Sequence, residues 1–443
     1  MNVRRIVTLG LIIALMSAGG VMAVGPGSEI TTQALPATLT LAEALRRVDA
    51  HHPVLQSKSA QEQGAQARLD RVRARSGFQA DINLTLSAVD LINSGDAGDG
   101  FVNDSYGRLV VRKRLYDFGR SRAKEDAASQ SLAARQIDLM NAPELLQVEI
   151  MRAFFNVVLA DMRYATDNED MAYKYVRFDK IRERQKLGMV SDVEVLELES
   201  IYQDSFLRRN RSQLQQSSAR SRLAILLNRP AELPHRVVRP RLNVEKHALP
   251  DYKTALDKVL KTNPRLRALA LDVKAAKAKI NAMQADWRPI LEAEVSSSAY
   301  EREVGSRNSA EAMLRLRMPL YQGGGVKAAL KEAMSELHIA EAEYRKLELD
   351  LHQSALDLVQ TLEALKIERH AARVRLDYRD MKLDQNRALY EMEVQTTLGD
   401  SMVLVTDAQW QAARAEFETL VTWAKLDALQ GKGIDLNEWK AGP

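Results

Sequence analysis

Pro319-Leu320-Tyr321-Gln322-Gly323-Gly324-Gly325 separates two stretches of different hydrophobic period. Before it, Ala312, Leu314, Leu316, Met318 and Leu320 alternate with Met313, Arg315 and Arg317, the period of two of a β-strand with one apolar face. After it, Leu330, Ala333, Leu337, Ala340, Tyr344, Leu347 and Leu351 recur at steps of three and four, the period of a helix in a coiled coil. Glycines at 323, 324 and 325 let the chain turn sharply without Cβ clashes. A strand therefore feeds directly into a long helix. Leu115-Tyr116-Asp117-Phe118-Gly119-Arg120 is a weaker copy of the same corner.

Working outward, the scheme is found twice. Thr40 to Arg75 reads as a helix interrupted at His52-Pro53, and Asp251 to Asp286 as a helix carrying Asn263-Pro264. Two strands follow in each half. In the first half, Phe78 to Val89 has Ala80, Ile82, Leu84, Leu86 and Ala88 on one face and Asp81 among the polar residues of the other. Tyr106 to Tyr116 has Leu109, Val111 and Leu115 facing one way and Arg108, Arg112 and Arg114 the other. In the second half, Leu291, Ala293, Val295 and Ala299 oppose Glu292, Glu294, Ser296 and Ser298, and the strand from Ala310 to Leu320 carries Arg315 and Arg317 on its polar face. Pro53 and Pro264 lie 211 residues apart, as do Ile82 and Ala293; Leu109 and Leu314 lie 205 apart. An internal repeat decides the fold before any single element does.

A long helix closes each pair of strands, Phe118 to Leu187 and Val326 to Glu393, with Pro143 expected to kink or divide the first. Each has about 70 residues and hence spans roughly 100 Å. Such a helix needs lateral partners along its length. The shorter helices of each half, stacked end to end, match it. Gly188-Met189-Val190-Ser191-Asp192 reads as a tight turn between antiparallel helices, Gly ending one and Ser or Asp capping the next. A second turn lies between Val394 and Asp400, before a last helix to Leu429. The expected division is a signal peptide at 1–23, a flexible leader at 24–38, a first repeat at 39–228, a connector at 229–250, a second repeat at 251–430 and a tail at 431–443.

Bulk properties exclude several classes. The net charge is only +4, with both signs interspersed and few aromatics, which argues against nucleic-acid binding. There is no cysteine, so disulfides, thiolate metal sites, cysteine nucleophiles and N-terminal lipidation fall away together. Arg4 and Arg5, the apolar run Ile6 to Met16 and Val21-Met22-Ala23 form a cleavable secretory signal, the run being too short for a membrane anchor. The histidines show no metal-ligand spacing, and His51-His52 is expected to be solvated beside a helix break. Gly323-Gly324-Gly325 lacks the Lys-Ser/Thr of a phosphate loop, and no catalytic constellation is found.

Four strands in one chain cannot close a barrel, and an open sheet in lipid leaves backbone groups unsatisfied. Either the strands form a small sandwich or several chains close a barrel together. One apolar and one polar face, at this strand length, is what an outer-membrane barrel shows. Three chains would supply twelve strands.

The sequence resembles the TolC family of outer-membrane efflux and secretion channels over residues 39 to 430. The resemblance rests on the duplicated layout and on Leu41-Ala42-Glu43-Ala44-Leu45 with His52-Pro53, Leu115 to Gly119, Leu226-Leu227-Asn228-Arg229-Pro230, Asn263-Pro264 and Pro319 to Gly324. It implies a mainly α fold with a membrane β-barrel: a homotrimer with a twelve-stranded barrel in the Gram-negative outer membrane and a helical tunnel across the periplasm. It implies no enzymatic activity and no cofactor. The partners implied are a periplasmic adaptor (membrane fusion protein), an inner-membrane transporter of RND or ABC type, and outer-membrane lipid.

The resemblance also assigns roles. Gly188, Met189, Val190 and Asp192 become a periplasmic tip that meets the adaptor, the alternative being a plain helical turn. Tyr390 and Asp400 become aperture residues, the alternative for Asp400 being an N-cap. Glu393 stands where the family has glycine, and Met402 near the place of a second aperture acid. Asp81, Arg108, Arg112, Arg114, Glu292, Glu294, Arg315 and Arg317 should line the barrel lumen, with mutual pairing preferred over ion selectivity as their role. Gly119, Gly323, Gly324 and Gly325 become the barrel–tunnel corner. The rival readings are a periplasmic adaptor and a structural coiled-coil protein of the cell envelope. Neither explains a duplicated pattern that includes alternating strands.

Overall fold

The computed structural model describes residues 36, 38–48, 51–90, 101–232, 235–240, 248–302, 308–392 and 398–435. All of these but Pro36 belong to one unit, Ala37–Pro443. The expected signal peptide, the loop around Gly305, Glu393 and most of the turn before Asp400 lie outside the described residues.

The first half runs β1 (Thr38–Leu39), α1 (Leu41–Arg46), α2 (Pro53–Ala74), β2 (Phe78–Thr85), β3 (Ala88–Asp90), β4 (Phe101–Tyr116), α3 (Arg120–Lys186) and α4 (Asp192–Leu226). After β5 (Arg236–Val237) come α5 (Tyr252–Thr262), α6 (Pro264–Gln284), a 3₁₀ turn (Ala285–Trp287), β6 (Ile290–Arg302), β7 (Ala310–Arg317), α7 (Gly325–Glu391) and α8 (Leu398–Leu429). No helix among the described residues is long and apolar enough to cross a membrane, which says nothing of strands.

Local chemistry explains the repeated helix breaks. His52 and Asn263 are the N-caps of α2 and α6, each followed by proline at the first helical position, where its missing N–H costs nothing. His52 Nδ1 accepts from the Val54 N–H at 3.3 Å, and Asn263 Oδ1 from the Leu266 N–H at 2.8 Å. Asn263 also donates to the Leu429 carbonyl at 2.9 Å, tying the start of α6 to the end of α8. His52 is thus buried, not solvated as the sequence suggested. Capping ties it into the helix, and only His51 beside it stays exposed.

Both long helices have 67 residues and span about 100 Å. Of the two outcomes expected at Pro143, a kink or a division, α3 is not divided. Proline in a helix interior costs about 3 kcal/mol. Here the flanking Ala142, Leu146, Val148 and Ile150 are buried, and their packing offsets that cost. Helix α3 packs against α2 and α4 of its own half and against α6 and α8 of the other; α7 packs against α5, α6 and α8. The stripe expected on α7 does turn inward at Ala333 and Leu351, and continues through Ala355, Val359, Leu362 and Leu365. The α3–α8 contact holds Phe155 and Phe417 stacked at 4.3 Å, and the Trp410 indole donates to the Leu159 carbonyl at 3.0 Å.

The expected leader and connector meet. Thr38 and Leu39 pair in parallel with Arg236 and Val237, and Leu39 is fully buried. Two-residue strands carry no periodicity, so the sequence could not announce them.

The sheet has the order β2-β4-β6-β7, antiparallel throughout, with β3 pairing the far end of β4. It is open, with β2 and β7 as its edges. β7 ends at Arg317, so Met318 and Leu320, which keep the alternation, lie beyond the ladder.

Each long helix begins after two successive residues of positive φ. These are Phe118 (54°) with Gly119 (91°), and Gly323 (58°) with Gly324 (82°). The pairs are 205 residues apart, the repeat offset read from the strands. Phe118 holds its left-handed backbone through two contacts. Its ring meets Tyr116 edge-on at 4.7 Å, and its carbonyl accepts from the Arg288 guanidinium at 2.6 Å.

A Cβ at Gly324 or Gly325 would meet nothing within 4 Å, but only Gly324 has positive φ. Gly324→Ala should therefore lower stability by about 1 kcal/mol through backbone strain alone, whereas Gly325→Ala should leave it unchanged or raised. Thermal unfolding followed by circular dichroism compares the two; equal effects would refute the assignment of the turn to residue 324.

Candidate functional site

The two faces of the sheet differ in kind. One carries Ile82, Leu84, Leu109, Val295, Leu314 and Leu316, all exposed, from 40% at Leu109 to 71% at Leu314. Contiguous apolar surface of this sort marks a partner or a membrane. A register shift between Arg114 and Tyr116 adds Tyr116 to this face, opposite Leu291.

The other face is charged and paired across all four strands. Glu294, only 7% exposed, is its hub. It lies 3.1 Å from Arg112, 3.6 Å from Arg108 and 3.7 Å from Arg315. Arg112 also reaches Asp81 at 3.0 Å, and Arg114 lies 3.6 Å from Glu292. Antiparallel register creates this arrangement. Val110 opposes both Asp81 and Ser296, Arg112 opposes Glu294, and Arg114 opposes Glu292. Arg317 stands at the end of β7, opposite Ile290, outside these pairs. Sequence reasoning missed Glu311, which lies 3.5 Å from Arg108, and gave no role to Ser296, which it had read on the polar face and which accepts from Arg108 at 3.0 Å. It also missed Val110, 2% exposed beneath the charged side chains. Position along the strands puts all three on this face, but which residues meet across strands depends on register.

The α3–α4 turn is a Schellman motif. Gly188 (φ 70°) donates to the Gln185 carbonyl at 2.8 Å, and Met189 to that of Arg184 at 3.0 Å. Ser191, not Asp192, is the N-cap, in a capping box with Glu194. Asp192 is the first helical residue and accepts from the Gln185 side chain at 2.7 Å. Val190 is half-buried, while Leu187, Met189, Val193 and Leu196 are all at least 63% exposed. The turn thus ends in an apolar tip that no hydrogen-bond requirement of the turn explains.

Tyr390 is exposed near the end of α7. Asp400 is the third residue of α8, where a carboxylate favours the positive end of the helix dipole. The structure joins Asp400 to α3: the Tyr173 hydroxyl donates to its carboxylate at 3.5 Å. Burial, and then the Asp400 charge, push the Tyr173 hydroxyl above its ordinary range, with Arg177 opposing. Gly399 lies against the same ring, and a Cβ there would run into it. Nearby, Arg163 of α3 reaches Asp407 of α8 at 2.9 Å. Nothing in the alternating or heptad pattern marks Tyr173 or Arg163.

Removing the Glu294 charge leaves three arginines facing one another in a half-buried setting. Glu294→Gln should destabilise the sheet by about 1–3 kcal/mol, below the full cost of breaking a buried pair because the arginines are partly solvated. Glu292→Gln, whose side chain is 34% exposed, should cost less. Thermal denaturation of both in detergent tests the order, and a larger effect at Glu292 would refute Glu294 as the hub.

Residues 255–432 match the family model described as outer membrane efflux protein. No curated protein matches the chain in sequence. Among solved structures, a membrane protein from Pseudomonas aeruginosa is 19% identical with a TM-score of 0.73, covering 89% of this chain and 90% of its own. The outer membrane protein VceC from Vibrio cholerae is 17% identical with a TM-score of 0.69, covering 89% of this chain and 97% of its own. The Campylobacter jejuni CmeC outer membrane channel is 13% identical with a TM-score of 0.74, covering 89% and 86%. Residues 255–432 thus match the outer membrane efflux protein model, and nearly nine-tenths of the chain has the fold of these solved outer-membrane channels.

Proposed function

We propose that this protein is the outer-membrane channel of a tripartite export system, a passive duct for substrates driven by an inner-membrane transporter. One observation carries the reading. The sheet presents an exposed apolar face and an ion-paired face, leaves both edges open, and continues through tight corners into two 67-residue helices. An open sheet in lipid must have its edge N–H and C=O groups paired. Edge strands β2 and β7 of successive chains would pair to close a twelve-stranded barrel in a homotrimer. The apolar face would then meet lipid and the charged face would line the lumen, where neutralised pairs make a water-filled passage with little fixed net charge.

The helices below the sheet form the tunnel wall in this reading. The apolar tip of the α3–α4 hairpin meets a periplasmic adaptor, which links the channel to an RND- or ABC-type transporter. Tyr390 and Asp400 stand at the aperture of the other hairpin. The same duct would serve small-molecule efflux or type I protein secretion; the transporter decides which.

Gly188→Glu adds a charge to the apolar tip and strains a left-handed residue. It should abolish export, read as drug susceptibility of the cells, while heat-sensitive trimers still reach the outer-membrane fraction. Unchanged susceptibility would refute the tip as the adaptor contact, and soluble monomers of the unaltered protein would refute the channel itself. For the aperture, Asp400→Ala should change single-channel conductance and weaken cation preference in planar bilayers; identical traces would remove Asp400 from that role.

A further inference from the structure

The helix-side end of the sheet carries two belts. The first is aromatic. Phe78 opens β2, Tyr116 closes β4, Phe118 lies two residues beyond, Trp287 precedes β6 and Tyr321 follows β7, and all five are exposed. The register puts them at one level, since Phe78 opposes Lys113, Tyr116 opposes Leu291 and Ile290 opposes Arg317. Exposed aromatic rings at the end of an apolar face are characteristic of the headgroup level of a bilayer.

The second belt is basic and lies at the same level and just beyond. Lys113 stands over the Phe78 ring at 4.4 Å. Arg75 caps the end of α2, Lys124 is one turn into α3, and Arg288 follows Trp287. The nearby carboxylates are already engaged. Asp286 is 2.5 Å from Arg120, Glu125 is 2.6 Å from Arg73, and Asp117 is 3.8 Å from Arg114. Arg288 donates to a neutral carbonyl, that of Phe118, and Lys113 faces a neutral ring. The positive charge of this level is therefore in excess. Burial lowers the Lys124 amine from the ordinary lysine range; Asp286 opposes this, and Arg120, Arg114 and Arg75 add smaller contributions to the lowering.

We propose that this collar binds the phosphate headgroups of anionic phospholipids in the periplasm-facing leaflet, fixing the depth at which the protein sits. The proposal rests on the membrane reading of the sheet given above. Anionic lipid is the occupant that fits, because the cations adjoin an apolar surface and rings that only an amphiphile covers together. Long Lys and Arg side chains reach from apolar surface to headgroups without burying their charge.

The full-length protein, reconstituted into nanodiscs of phosphatidylcholine alone or mixed with phosphatidylglycerol, tests this. Lipids brominated near the headgroup should quench tryptophan emission in the unaltered protein, and Trp287→Phe should remove that quenchable part. Native mass spectrometry should show phosphatidylglycerol retained over phosphatidylcholine. The Arg75→Gln/Lys124→Gln double variant leaves the Arg288–Phe118 bond intact. It should retain less phosphatidylglycerol, by about fivefold per charge removed, the ratio that about 1 kcal/mol per basic residue implies. The remote Lys261→Gln should change nothing. Equal retention by the double variant, or a loss with Lys261→Gln as well, would overturn the collar while leaving the membrane reading standing. Absence of quenching at Trp287 by any lipid would overturn the membrane reading itself.

Discussion

At each corner between a strand of the sheet and a long helix, the chain must change direction within a few residues. Two successive left-handed residues solve this at both corners, and the remaining architecture hangs on them. They set the direction in which each 67-residue helix leaves the sheet, and so where its buried stripe points. The two corners reach the same backbone by different chemistry. At 323–324 glycine avoids the strain; at 118–119 a phenylalanine accepts it, held by a ring contact and by Arg288. A left-handed non-glycine residue costs roughly 1–2 kcal/mol, about what one charge-assisted hydrogen bond returns.

The helices impose the second constraint. A helix about 100 Å long draws most of its stability in a protein from packing its apolar stripe, because helix propensity alone gives little net drive. The shorter helices supply that cover in relay: α2 and α4 along α3, and α5, α6 and α8 along α7. The breaks in the relay are not defects. His52-Pro53 and Asn263-Pro264 restart a helix with its cap and its first proline already in place. Asn263 further binds the end of α8, so one residue closes two helix ends.

The sheet shows how register turns a pattern into an interaction. Arginines on β4 and glutamates on β6 were visible as alternating residues. That Glu294 would serve three arginines was not, because it depends on which residue of β6 stands opposite Arg112 and on β7 lying on the far side of β6. The same holds for Val110, an apolar residue on the charged face that reads as a break in alternation. In the structure it is 2% exposed and stands between Asp81 and Ser296 in the register.

The sequence by itself determined the element types, their order and their repetition, because periods of two and of three to four, glycines, prolines and caps act over a few residues each. The strand–glycine–helix junction at 319–325 was legible for that reason. The tertiary structure decided what depends on distant residues meeting. It made one helix through Pro143, buried His52 and paired Thr38–Leu39 with Arg236–Val237. It also tied Tyr173 to Asp400 across a sequence separation of 227. In each case the deciding energy is packing or a hydrogen bond between segments far apart in the chain, and no local pattern records such a partner.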